Sequence, residues 1–167
     1  VGIIQNTDKK HCLVFLTTIA ECEHTAKLIQ KVGISCEVLT GKTSTTERTR
    51  MITEFKAGKI KCILCVGALT TGFDFPELDC LIFARPTQSL SLYYQILGRI
   101  VRIHPSKEYG DVYDLCGNVG NFGKIETLRF VGDDLSKLGL VSDTKILIPP
   151  TKSYMAKKVV EGMQNIA

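Results

Sequence analysis

Cys12-Leu-Val-Phe-Leu16, the stretch from Thr18 through Glu21 to Gly33, and Cys36-Glu-Val-Leu39 read in turn as strand, helix and strand. Each flanking run is short and almost wholly apolar, which suits a strand buried on both faces rather than a helix. Between them Thr18-x-x-Glu21 forms a capping box. Ile19, Cys22, Ala26, Ile29 and Val32 recur at helical spacing, and Gly33 supplies the stop. The same alternation continues outward. Ser44-x-x-Glu47 is a second capping box, followed by Arg48, Met51, Ile52 and Phe55 at helical spacing and by Gly58. Further strands are expected at Cys62–Val66, Cys80–Phe83 and Val112–Leu115. A third helix is expected from Thr87–Ser89, after Pro86, to about Ile103, before Pro105. Short apolar strands alternating with helices predict an α/β fold, a mainly parallel sheet covered by helices on both faces.

Composition agrees with a core-forming chain. Of 167 residues, 44% are hydrophobic, 23% charged and 7% aromatic, which excludes disorder and coiled-coil or collagen-like rods. No apolar run approaches the roughly 18 residues of a membrane span. The first residues have no signal-peptide layout and no initiating Met, as expected of a piece of a longer protein. Net charge is 21 − 17 = +4, which permits an anionic partner without requiring one. Seven cysteines are an odd number. Cys12, Cys36, Cys62, Cys65 and Cys80 lie in or beside the strand-like runs, so buried thiols in a reducing, intracellular compartment are expected. Residues 1–125 read as one domain and 126–167 as an extension of loop and helix. Within the extension Glu126 to Ser142 mixes helix and loop signals, and Pro149-Pro150 breaks the chain. Tyr154 to Ile166 spaces Met155, Val159, Met163 and Ile166 as an amphipathic helix.

Ligands of open parallel sheets bind beyond the carboxyl ends of the strands. The positions to inspect are therefore Thr17–Thr18, Thr40–Thr43, Gly67–Asp74, Arg85–Thr87 and Gly117–Gly123. Near them stands Gln95-Ile-Leu-Gly98-Arg99-Ile-Val-Arg102. On a helix running to Ile103, Gln95, Arg99 and Arg102 share one face. Ile96, Leu97, Ile100, Val101 and Ile103 are then available for burial, and Gly98 leaves room for close approach. Two planar, permanently charged guanidiniums beside an amide suit phosphate oxygens. A solvated basic helix face is the plainer alternative.

Cys65 through Gly72, Asp74 and Pro76, then Asp79 to Pro86 and the glutamine–arginine segment, together resemble motifs V and VI of superfamily 2 helicases. Leu13-Val-Phe-Leu-Thr-Thr18 is similar to motif IV. Thr40-Gly41 through Thr45-Thr-Glu-Arg48 to Gly58 is similar to the region of motif IVa. The likeness runs from Cys12 to Cys116. Leu69 to Asp74, Gln95 to Arg99, Val101 to Pro105 and Asp114 to Val119 look most like RadD and UvsW-type DNA helicases. DEAD-box RNA helicases open motif VI with His-Arg, where this chain has Tyr94-Gln95. Val66 stands where many relatives carry a hydroxyl residue, and Gly120 to Gly123 replaces a basic, His-containing turn.

The resemblance implies a three-layer, RecA-like (P-loop NTPase-like) domain, the second motor domain of an ATP-dependent DNA helicase or translocase. ATP and Mg²⁺ would be held mainly by an N-terminal RecA-like domain of the same polypeptide, and the isolated segment would be inert. Arg99 and Arg102 would reach the γ-phosphate, Arg102 as the arginine finger, with Gln95 positioning it. Gly72 and Asp74 would join motif V to the nucleotide. Thr40, Gly41, Arg48, Gly67, Ala68 and Thr71 would meet the nucleic-acid backbone. DNA is expected in preference to RNA, in the cytoplasm of a bacterial cell or a virus-infected host. The alternatives are an RNA helicase domain and a non-catalytic RecA-like interaction module.

Two other patterns carry less. Gly41-Lys42-Thr43-Ser44 lacks the glycine a phosphate-binding loop needs five positions earlier, where Cys36 stands. Cys62 and Cys65, three apart on a strand, point to opposite faces and cannot converge on zinc. Cys22-x-His24 has no partner pair. No metal site is expected, and His11, His24 and His104 are assigned no catalytic role.

Overall fold

The apolar runs become a parallel sheet in the computed structural model, which describes residues 1–67, 75–131, 139–143 and 146–148. These residues divide into two compact units. One comprises Val1–Pro86 with Arg99–Cys116, and the other Thr87–Gly98 with the described part of Gly117–Ala167. The helix expected at Tyr154 to Ile166 lies outside the described residues.

The first unit is built on β1 (Cys12–Leu16), β2 (Cys36–Leu39), β3 (Cys62–Cys65), β4 (Cys80–Ala84) and β5 (Asp111–Asp114). They pair in the order β2-β3-β1-β4-β5, every pair parallel. The expected strands are found with shifts of one residue at β3, β4 and β5. For β5 the pairing decides the shift, because Asp111 N–H donates to Asp79 O and Leu115 N–H to Phe83 O, drawing Asp111 into register with Cys80.

Helices α1 (Gly2–Asn6) and α2 (Ile19–Lys31) cover one face. There Ile4, Cys22, Ala26 and Ile29 close over Cys12, Val14, Leu16, Cys62, Leu64, Cys80 and Ile82. The capping box forms as read, with Thr18 Oγ1 accepting from Glu21 N–H and the Glu21 carboxylate from Thr18 N–H. Ile19 and Val32, expected on the apolar stripe, are exposed instead. They sit at the two ends of the helix, where the stripe has drifted off the sheet. Helix α3 (Thr45–Lys56) starts on Ser44, whose Oγ accepts from Glu47 N–H. Its Phe55 ring packs edge-on against His11 at 5.3 Å and Phe75 at 5.5 Å. His11 follows the alternation of Leu13 and Phe15, so this cluster covers the opposite face. Helix, sheet and helix thus make the three layers of an α/β RecA-like fold.

Four cysteines share one rung. Cys36, Cys62, Cys12 and Cys80 are register partners across β2, β3, β1 and β4, all buried on the α2 face. Burial pushes the Cys36 thiol up to about 11, and Cys62 is raised well above its ordinary value by the same cause. These sulfurs act as small apolar groups.

Helix α4 (Leu90–Ile100) begins later and ends sooner than the sequence suggests. Ser89 Oγ accepts from Leu92 N–H at its start. At its end the Ile100 carbonyl takes a hydrogen bond from the Lys107 ammonium rather than from the amide of residue 104. His104 instead bridges to Lys107. Ile96, Leu97 and Ile100 are buried as expected, but Val101 and Ile103 lie beyond the helix and are exposed, Ile103 almost completely.

In the second unit Asn118, at the start of α5 (Asn118–Phe122), is fully buried. Its Oδ1 accepts from Thr87 N–H at 2.8 Å. The Tyr93 and Tyr94 hydroxyls donate to the Gly123 and Phe122 carbonyls. A 3-10 turn at Ile125–Thr127 leads to β6 (Arg129–Val131), β7 (Gly139–Val141) and β8 (Ile146–Ile148), an antiparallel sheet ordered β6-β7-β8. Mixed helix and loop signals were expected over part of this region. Strands of three residues are too short to display a period of two. No helix of the described residues is long and apolar enough to cross a membrane.

Two outcomes follow from the core. Alkylation of the native chain should modify the half-buried Cys116 and spare the other six thiols until unfolding, as read by intact mass; comparable labelling of Cys12, Cys36, Cys62 or Cys80 would contradict the rung. Among the described residues the buried His11 Nε2 has no hydrogen-bond partner. Burial holds this imidazole below its ordinary value, outweighing the opposing pull of Asp79 and Glu77. The unfolded chain therefore binds the proton more readily, and His11 removes stability as pH falls through the ordinary histidine value toward the depressed one. Denaturation midpoints at pH 7.5 and pH 5 should differ less in His11→Phe than in the parent chain.

Candidate functional site

The carboxyl ends of the strands collect the polar turns. After β2 the chain closes on itself: Thr40 N–H donates to Thr43 Oγ1 at 3.0 Å, Lys42 N–H to Thr40 Oγ1 at 3.1 Å and Thr43 N–H to Thr40 O. Gly41 and Lys42 stand exposed in this turn, ahead of the helix that Ser44 caps. The Lys42 side chain thus belongs to a threonine turn, not to a phosphate-binding loop. Half-buried Arg48 leans back from α3, its Nη2 donating to Thr40 O at 3.4 Å. This brings Thr40, Gly41 and Arg48 together. Arg50, one turn-face away, is occupied differently. It bonds the carboxylates of Glu37 and Glu47 at 2.6 Å and also that of Glu54, and the hydrogen bonds to Glu47 and Glu37 raise its pKa. Of the two arginines, only Arg48 is directed to the turn.

After β3, Gly67 adopts φ +63°, a left-handed conformation that disfavours a side chain. The Arg85 guanidinium lies over this turn: a Cβ on Gly67 would come within 3.6 Å of Arg85 Nη1. Burial raises the Cys65 thiol at the end of β3, and Cys22 adds to this, while Arg85 and Arg99 both draw it down. Arg85 was among the strand-end positions inspected in the sequence but received no role. Its signal was its place directly after a strand and before Pro86.

Gln95 is exposed and Arg99 half-buried on α4, four residues apart. Arg102 does not continue their helical face, because α4 has ended two residues before it. The row of three expected from the sequence is thus a pair on the helix followed by a half-buried arginine in the succeeding bend. Ala68, Thr71, Gly72 and Asp74 lie outside the described residues.

Arg99 and Arg102 offer planar donor forks suited to phosphate. Among the described residues no group of three or more His, Cys, Asp or Glu side chains is placed to hold a metal ion, so Mg²⁺ has no ready ligand set in them.

Residues 1–104 match the helicase conserved C-terminal domain family. A Saccharomyces cerevisiae protein bearing the name "Putative ATP-dependent helicase IRC3" is 33% identical over 133 residues, 78% of this chain and 19% of that protein. The ATP-dependent rRNA helicase RRP3 of Debaryomyces hansenii is 30% identical over 94 residues, 56% of this chain and 20% of that protein. The chain thus spans about a fifth of the length of these curated relatives. Among solved structures, the C-terminal domain of the DEAD-box protein Dbp5 superposes with a TM-score of 0.60 at 20% identity, covering 72% of this chain and 69% of that one. At that identity the likeness is one of fold.

Asn118 was not singled out from the sequence as a site residue, yet it anchors the approach to α4. Asn118→Ala should leave the buried Thr87 N–H unsatisfied and lower stability by about 1–3 kcal/mol in chemical denaturation, with faster hydrogen exchange at the Thr87 amide. Unchanged exchange there would remove the anchoring role.

Proposed function

This chain belongs to the helicase conserved C-terminal domain family, and from that premise we propose that it is the second RecA-like motor domain of an ATP-dependent, nucleic-acid-translocating helicase. The observation that carries the reading is the family match over residues 1–104, which takes in Arg99 at the end of α4 and Arg102 just beyond it, both half-buried. An ATP held chiefly by a preceding RecA-like domain of the same polypeptide would present its terminal phosphate here. Bound ATP supplies the phosphoryl group and its leaving nucleotide. Arg99 and Arg102 neutralise charge spread over the transferring phosphoryl, with Arg102 as the finger, and Gln95 orients that end of the site. Gly72 and Asp74 would tie motif V to the nucleotide.

Residues 1–125 form the motor domain in this reading, and 126–167 its extension. The nucleic-acid backbone would cross Thr40, Gly41, Arg48, Gly67, Ala68 and Thr71. Backbone N–H groups, hydroxyls and one guanidinium contact phosphates without reading sequence. RNA is the preferred strand, supported by relatives named as RNA helicases, the Debaryomyces protein among them. The motif likeness to RadD and UvsW-type enzymes, with Tyr94-Gln95 in place of His-Arg, favours DNA as the second reading.

In the full-length polypeptide, Arg102→Ala should lower ATP turnover by about 10³-fold or more while ATP binding persists. Undiminished turnover would remove the finger. Single-stranded RNA should stimulate the parent ATPase more than DNA of equal length, and the reverse order would establish the second reading.

A further inference from the structure

The last carbonyl of α4 is bonded by a side chain seven residues away. Lys107 Nζ donates to Ile100 O and to Leu78 O, each at 2.8 Å. The first bond takes the carbonyl that a continuing helix would offer to the amide of residue 104. The second joins the end of α4 to the turn Phe75–Leu78, which closes through Leu78 N–H to Phe75 O just before β4. The intervening bend is braced in other ways. His104 Nδ1 lies 2.7 Å from Ser106 Oγ, and His104 Nε2 is 3.5 Å from Glu77 Oε1. Gly110 is pressed so closely on Ile100 that a Cβ there would fall 2.4 Å from Ile100 Cγ1. Burial pulls the Lys107 ammonium below its ordinary range, against the pull of Asp79. A cavity of about 310 Å³ opens beside it, lined in part by Lys10, His11, Glu77, Asp79, Lys107 and Tyr109.

We propose that Lys107 is a positioning residue for the phosphate-facing arginines: its ammonium stops α4 at Ile100 and thereby sets the direction in which Arg102 leaves the helix. The proposal rests on the reading of Arg99 and Arg102 given above. A helix allowed to run one turn further would carry Arg102 about 100° per residue around its axis with the following residues, onto the face shared with Arg99. Lys107 also links that arginine to the segment that follows motif V, since Leu78 and Ile100 hang on one nitrogen. Lys107 touches neither nucleotide nor strand in this scheme, so its loss acts on the rate of phosphoryl transfer rather than on ATP affinity.

The test uses the full-length polypeptide carrying Lys107→Ala. Expected is a fall in kcat on the order of 100-fold, the effect of misplacing a catalytic group by about 1 Å, with KM for ATP within twofold of the parent. Propylammonium should restore activity several-fold by entering the vacated cavity and bonding the same two carbonyls, whereas tetramethylammonium, which has no N–H donor, at equal ionic strength should not. If the alanine variant does not fold, Lys107→Met, which keeps the stem and loses only the donors, gives the same kcat and KM comparison. A folded variant with kcat within threefold of the parent, or a loss confined to KM, overturns the proposal. Arg102→Ala measured alongside separates the two readings: if it too retains full turnover, the arginine assignment has failed, and if it alone is inactive, only the role of Lys107 has.

Discussion

Parallel pairing around β1 is the constraint on which the first unit depends. Because β2, β3, β1, β4 and β5 all run the same way, every strand-to-helix turn emerges at one edge and every return at the other. Thr40, Gly67 and Arg85 come from three separate stretches of chain and still arrive at the same edge. The opposite edge holds the closing contacts of Lys10, His11 and Asp79, where both backbone amides donate to one carboxylate. Polar chemistry and structural anchoring are thus segregated by strand direction alone.

Charge is arranged with similar economy. Arg50 is held by three carboxylates on the solvent side of α3 and β2, while Arg48, two residues earlier, turns to the carbonyl of Thr40. Two residues apart on a helix, the side chains face different ways, so one serves the surface and the other the strand end. At the end of β3 the Arg85 guanidinium lies over the Gly67 turn, a second positive group at this edge.

The end of α4 shows how far a local pattern can mislead. Apolar residues at 96, 97, 100, 101 and 103 continue a helical period, and only Pro105 signals a stop. In the fold a lysine side chain claims the carbonyl that the next turn would need, leaving Ile103 in solvent and Arg102 off the helix. Helix termini are decided by who satisfies the last carbonyls, and a partner seven residues on cannot be read from propensity. The same limit hid Asn118, whose value lies in reaching back 31 residues to Thr87.

What could be read along the chain was whatever depends on near neighbours. The Thr18 and Ser44 caps, the glycine stops at 33 and 58, and the short apolar strands β1 and β2 express contacts within a few residues, and they stand where expected. The order of strands, the alignment of Cys36, Cys62, Cys12 and Cys80 on one rung, and the seating of His11 between two phenylalanines required the sheet to assemble. So did the one-residue shift of β5, which follows its neighbour's hydrogen-bonding groups rather than its own apolar run, and the antiparallel strands β6 to β8, each too brief to carry a period. Local hydrogen bonds leave a signature at fixed spacing. Register and burial depend on residues far apart in the chain, and therefore belong to the tertiary structure.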